Sequence, residues 1–205
     1  MLQINNLTKV YKGGKKAVDK LNLTVSAGDI FGSIGHNGAG KTTTLKAIAG
    51  ILDFEEGEIT IDGLSIKKQP LACKQRLAYI PDNPDLYEHL TGIQYLNFIS
   101  DLFGILKGDR EVRIHDLSDA FELTPHLNEL ITSYSHGMKQ KLALISAFMH
   151  EPKLLILDEP FVGLDSKAAH TLKELMLTCS LITLVTTLYM VKQLVVKTWA
   201  HYSYL

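Results

Sequence analysis

The chain has 205 residues, a formal net charge of −1, and 46% hydrophobic against 21% charged residues. That length suits one domain, or one domain carrying a small second lobe, and buries enough surface to fold without disulfide staples. The balance excludes a disordered chain and a nucleic-acid binder working by bulk positive charge, and two cysteines, Cys73 and Cys179, are too few and too scattered for a disulfide framework or a metal cage.

The start, Met1–Asn6, has neither the basic head nor the apolar run of a signal peptide, so a reducing cytosol is the expected setting. Leu2–Val10, Leu21–Val25 and Glu58–Ile61 alternate with the period of strands. Residues 29–34 form a short apolar strand, and 41–51 follow as a helix with Leu45, Ile48 and Ala49 on one face. From about Pro84 to His150 the pattern turns helical. Thr91 is a candidate N-cap for a helix carrying Ile93, Leu96, Ile99 and Phe103, stopped by Gly104. Val112–Leu123 places Ile114, Leu117 and Phe121 at helical spacing, and Thr124-Pro125 ends it. Ser135 caps a third expected helix, whose Met138, Leu142, Ile145 and Met149 share a face. Leu154–Leu157 is apolar throughout, as a parallel strand covered on both sides would be. The uncharged stretch Leu175–Val191 touches the lower edge of membrane-span length, but its β-branched core, residues 181–185, favours a buried strand. The expected class is therefore α/β, with an antiparallel β part at the N-terminus and a helical subdomain inserted into the core. Residues 1–83 and 151–188 would form that core, 84–150 the helical subdomain, and 189–205 an atypical tail.

Gly35-His36-Asn37-Gly38-Ala39-Gly40-Lys41-Thr42 fits G-x-x-x-x-G-K-[ST], between a strand and a helix. Gly38 and Gly40 let the backbone curl so that N–H groups, including that of Thr43, point at phosphate oxygens. The helix adds the positive end of its dipole. Lys41 would neutralise the β- and γ-phosphates, and the Thr42 hydroxyl would ligate Mg²⁺. The second chemical feature is Asp158-Glu159, two acids at the end of the apolar strand. In a parallel sheet that edge is where ligands bind. Asp158 suits Mg²⁺ through water, and Glu159 suits a general base that polarises the attacking water.

With these motifs the chain resembles the ATP-binding subunit of an ATP-binding-cassette (ABC) transporter, from about Leu2 to Leu188. The resemblance implies a P-loop nucleotide hydrolase core of ABC ATPase type, with ATP and Mg²⁺ as ligands. It implies that Tyr11 stacks on adenine and that Val18 lines the same face. Ser135-His136-Gly137-Met138-Lys139-Gln140 resembles the family signature, usually Ser-Gly-Gly-Gln. Ser135 and Gly137 match it, whereas His136 and Met138 depart from it. Asp165, in Gly163-Leu164-Asp165, takes the D-loop position at a dimer seam. Tyr79-Ile80-Pro81-Asp82 takes the place of the Q-loop, with Asp82, a candidate Mg²⁺ ligand, where the family has glutamine. The implied partners are an integral membrane transporter subunit, docked near Tyr87–Gly104, and a second ATP-binding subunit, identical or homologous. No nucleic acid is implied. The implied location is cytoplasmic, peripheral on the inner face of the cell membrane.

The C-terminal part departs most. Where the family places a histidine after the last strand, this chain has Leu188, after Thr186-Thr187. Leucine cannot donate to a phosphoryl oxygen, and losing one positioned donor lowers turnover by ~10²–10³-fold. From Leu175 onward the chain has no Gly, Pro, Asp or Glu, a composition found nowhere else in it. That shift raises the expectation of a truncated or frame-shifted ending, against a divergent but intended one. Three functions compete: a transport ATPase, a degenerate module that binds ATP with little hydrolysis, and a non-transport ABC-type ATPase acting on DNA or ribosomes. Near-neutral charge and the lack of basic or coiled-coil inserts disfavour the third.

Overall fold

A computed structural model of the chain describes residues 1–33, 35–36, 38–178 and, as backbone, 183–187. The described residues form two compact units. The first holds Met1–Tyr79, Lys153–Glu159 and the strand at 183–187; the second holds Ile80–Pro152 and Pro160–Thr178.

The first unit contains two four-stranded sheets. β1 (Leu2–Val10) lies between β2 (Lys16–Val25) and β4 (Glu56–Ile61), antiparallel to both, and the short β5 (Leu64–Ser65) extends β4. The β1–β2 turn, Lys12 to Lys15, closes by the Tyr11 amide donating to the Lys15 carbonyl at 2.9 Å. Strict alternation along β1 breaks at Asn5-Asn6, where the register with both neighbours shifts. Asn6 takes a φ of 51°, and its amide donates to Asn22 Oδ1 at 2.9 Å. This bulge swaps the inward face, so Leu2 and Ile4 precede it and Leu7 follows it, all buried.

The second sheet runs β3 (Ile30–Ser33), β8 (Thr183–Thr187), β7 (Leu154–Asp158), β6 (Leu77–Ile80), with β8 parallel to β3 and β7. Every residue of β7 is buried, which is why Leu154–Leu157 reads as a continuous apolar run before Asp158. The strand expected in the uncharged C-terminal stretch is present as β8, and no helix among the described residues is long and apolar enough to cross a membrane. The helix α1 (Lys41–Ile48) places Leu45 and Ile48 in the same core as Ile59, Ile61, Leu154 and Ile156. Each such fully buried side chain stabilises by roughly 1.5–3 kcal/mol relative to exposure. A one-turn helix α2 (Pro70–Lys74) and β6 carried no periodicity that the sequence could reveal, being five and four residues long.

The second unit is helical. Thr91 caps α3 (Gly92–Leu102) in a reciprocal capping box: the Gln94 amide donates to Thr91 Oγ1 at 3.3 Å, and the Thr91 amide donates to Gln94 Oε1 at 2.9 Å. Next comes α4 (Lys107–Ala120), which starts five residues before the apolar periodicity does. Its polar first turn is fixed by Arg110, paired with Asp101 and donating to Asn97 Oδ1 at 3.3 Å. Ser135 caps α5 (His136–Met149), as its sequence predicts, and α6 (Ser166–Thr178) closes the unit. Residues 160–178 belong to this unit. Lys167 pairs with Glu122, and Thr171 Oγ1 donates to the Ala120 carbonyl at 3.1 Å.

Candidate functional site

The phosphate loop follows β3, and its backbone departs from ordinary geometry where the motif has glycine. Gly40 sits at the N-cap of α1 with φ 85° and ψ 4°. A Cβ there would overlap the Ala17 carbonyl oxygen on β2 and reach Val18 Cγ2 at 3.4 Å, so only glycine fits. Gly38, with φ 87°, faces open space and is needed for its conformation alone. The start of α1 has no side-chain cap and no acidic residue in its first turn. Among the described residues, its leading amides therefore have neither a cap nor a local negative charge to answer them.

Lys41 is 8% exposed, and its Nζ donates to the carbonyls of Gly35 at 2.7 Å and His36 at 3.0 Å. The ammonium is thus folded over the loop it belongs to. Thr42 is exposed, while Thr44 turns inward and donates to the Gly40 carbonyl at 2.9 Å. Tyr11 is 43% exposed and its hydroxyl lies 3.2 Å from Thr43 Oγ1, which ties the aromatic ring to the start of α1. Val18 lies in the core cluster, against the same glycine. Asn37 lies outside the described residues.

The sheet register brings the two motifs to one edge. Thr187, the last residue of β8, is paired on one side with Ser33 and on the other with Asp158. The strand that feeds the phosphate loop and the strand that ends in the two acids are therefore separated by one strand, about 9–10 Å. Asp158 is 3% exposed, whereas Glu159, half-buried, takes φ 51°, a conformation that turns the chain sharply out of the sheet. Leu188, the next residue in the sequence, lies outside the described residues.

The remaining expected residues belong to the helical unit. Ser135 Oγ accepts from the Met138 amide at 3.2 Å and is exposed. Gly137 faces Gly163: a Cβ at 137 would lie 2.5 Å from the Gly163 carbonyl oxygen. Asp165 caps α6 by accepting from the Ala168 amide at 2.8 Å, and it pairs with Lys141 at 2.6 Å. These two interactions, the amide first, hold its carboxyl below the usual carboxylate range. The signature turn and the D-loop segment are thus one structural patch, and Lys141, which no motif singled out, is the side chain that joins them. Asp82 is exposed, and its Oδ1 accepts from the Asn83 amide at 3.0 Å.

A family profile described as ABC transporter matches residues 18–162. The chain belongs to the ABC transporter family. It is 34% identical over 178 residues to the ABC transporter ATP-binding protein NatA of Bacillus subtilis, covering 85% of this chain and 72% of that protein. To the ABC-type transporter ATP-binding protein EcsA of the same organism it is 36% identical, covering 86% and 71%. Against the bacitracin transport ATP-binding protein BcrA of Bacillus licheniformis it is 38% identical, covering 80% of this chain but only 53% of that protein. Among solved structures, the ATP-binding subunit of an ABC transporter superposes with a TM-score of 0.86 at 35% identity, covering 91% of this chain and 79% of that one. A dimeric ATP-binding cassette bound to ADP and Pi shares the fold, with a TM-score of 0.81 at 24% identity over 91% and 88% of the two chains. The α/β cassette architecture expected from the motifs is therefore the one this chain has.

Proposed function

We propose that the chain is the ATP-driven subunit of a membrane transporter. The observation that carries this reading is the phosphate loop: an uncapped helix start behind a glycine that nothing else can replace, with a buried lysine folded over it. Residues 35–43 would bind the phosphates of ATP, with Tyr11 against the base. The donors available for a cation fit Mg²⁺, a hard ion that keeps several waters and phosphate ligands and needs few protein oxygens. Thr42 and Asp158 would supply those oxygens, with Asp82 as a further candidate; no group of three or more His, Cys, Asp or Glu that could hold a metal occurs among the described residues. Bound Mg²⁺ would neutralise charge on the transferred phosphoryl group. Glu159, turned out of the sheet edge, would accept a proton from the attacking water.

Two cassettes, identical or homologous, would close head to tail, each phosphate loop facing the partner's Ser135 and Gly137. Asp165 would lie at the seam. The helical subdomain, 84–150, would dock on a separate integral membrane subunit through its exposed Tyr87, Phe98 and Leu102, placing the chain on the inner face of the membrane. The likeness to transporter ATP-binding proteins supports this assignment. The test is ATP hydrolysis by the purified chain, alone and with its membrane partner; absence of Mg·ATP binding at millimolar concentration rejects the reading.

One observation favours a second reading, a module that binds ATP but turns over poorly. The residue that follows Thr187 in the sequence is Leu188. Leu188→His separates the two: a large gain in hydrolysis at unchanged ATP affinity supports the weak-turnover reading, and no gain means that the tail, not this one residue, limits activity.

A further inference from the structure

The signature turn carries a side chain where the family usually has none, and the structure gives that side chain a specific neighbour. His136 is the first residue of α5. Its imidazole lies on the Cα of Gly163: a Cβ at that position would overlap His136 Cδ2 and sit 2.9 Å from Nε2. Gly163 has φ 78°, so its backbone presents that bare Cα to the ring without strain. Two more contacts join the same segments. The Gly163 carbonyl packs on Gly137, and Lys141, one turn further along the same face of α5, pairs with Asp165 at 2.6 Å. The turn that leads from Glu159 into α6 is thereby held at its middle by a ring and a backbone, and at its end by an ion pair.

We propose that His136 is a positioning residue that locks the turn at 160–165 onto the first turn of α5, so that the two move as a single body. This rests on the reading above that Ser135 meets a partner's nucleotide. If so, the lock passes any displacement of Ser135 to Asp165 and to the segment attached to Glu159 within the same chain. Glycine at 136 leaves the Gly137 and Lys141 contacts but removes the ring, and with it the hold on Gly163. The contact is one of shape, between a flat ring and a Cα hydrogen, and needs no imidazole charge.

The experiment is hydrogen exchange by mass spectrometry on the full chain, without nucleotide and with Mg·ATP, beside steady-state hydrolysis. In His136→Gly the amides of 161–165 exchange about tenfold faster, while α3 and β7 do not change. His136→Phe keeps a flat ring and restores protection. Turnover falls in His136→Gly but not in His136→Phe, with KM for ATP unchanged in both. Gly163→Ala is less disruptive in the His136→Gly background than in the wild type, because the overlap with the ring is gone. Unchanged exchange in His136→Gly overturns the proposal. So does His136→Phe behaving like His136→Gly, which would assign the role to imidazole chemistry. The nucleotide-free exchange reads the lock even if the chain binds no ATP, so failure of the functional reading and failure of the lock remain distinct.

Discussion

Two helices in this chain begin on glycine-bearing turns, and their starts are finished differently. The start of α1 is a left-handed glycine with no side-chain cap, and the cation there, Lys41, is occupied with carbonyls of its own loop. That of α5 is an extended Ser135 whose oxygen already accepts from the Met138 amide. The first leaves its amides without a side-chain cap and depends on backbone shape. The second commits one amide internally and keeps a hydroxyl proton to donate, so it depends on a side chain. Sequence tolerance follows. Glycine is fixed at 40 by a positive φ and a neighbouring carbonyl, whereas position 136 lies on an ordinary helical turn and accepts histidine.

The sharpest way to break this contrast is to remove the charge from the first turn. Lys41→Met should lower ATP turnover by ~10²–10³-fold, as for loss of one positioned donor to a charged transition state. The fold should survive, because the ammonium bridges only loop carbonyls; thermal unfolding followed by circular dichroism checks that arm. Near-normal turnover would remove the phosphate loop from the mechanism. Next in size is backbone shape. Gly40→Ala should destabilise by on the order of 3 kcal/mol, combining a disfavoured φ with overlap of the Ala17 carbonyl. Gly38→Ala, with the same φ problem but open space, should cost about 1–2 kcal/mol. Equal losses in urea titration would mean that the Ala17 contact relaxes without consequence. At the second turn, Ser135→Ala should cost about 1 kcal/mol by loss of the cap. A cost above that of Gly40→Ala would invert the comparison.

How much of this was readable beforehand depended on whether the information was local. The strand–loop–helix at 30–48, the apolar run Leu154–Leu157 of β7 and the caps Thr91 and Ser135 were legible because each is a pattern within one or two turns of chain. The bulge at Asn5-Asn6 was not, since it is set by pairing with Asn22 and Glu58, far away in sequence. Val18 shows a subtler limit. The resemblance gave it as lining the same face as Tyr11, and what no motif showed is that it also lies in the core cluster against Gly40. Ser135, Gly137 and Asp165 were singled out by motif, but their joining through Lys141 and Gly163 was not. An ion pair across 24 residues leaves no periodic trace, and Gly163 had no visible reason to be glycine until the ring of His136 was seen upon it.

The smallest expected effects concern pH, and they belong to the helical unit. Tyr134, just before the signature serine, is buried and donates its hydroxyl to the His126 carbonyl at 2.7 Å. Burial, followed by the charge of Glu129, pushes its phenol up to about 12. The folded state favours the protonated form, so its contribution is complete below the ordinary phenol range and is lost as pH rises through about 12. Tyr134→Phe should flatten that alkaline loss in pH-dependent urea titrations. Asp165 has the opposite sign. Its carboxyl is held low by the Ala168 amide and Lys141, so its contribution is present above the ordinary carboxylate range and is lost as pH falls through and below it. Because that side chain is half exposed, salt screens the Lys141 part, and the acid-side effect should shrink in high salt while the amide part persists. Asp165→Asn, which keeps an oxygen for the Ala168 amide but not the charge, should therefore abolish the pH dependence and the salt dependence together. If it removes only one of them, the cap and the ion pair act separately, and the D-loop is joined to α5 less tightly than its geometry implies.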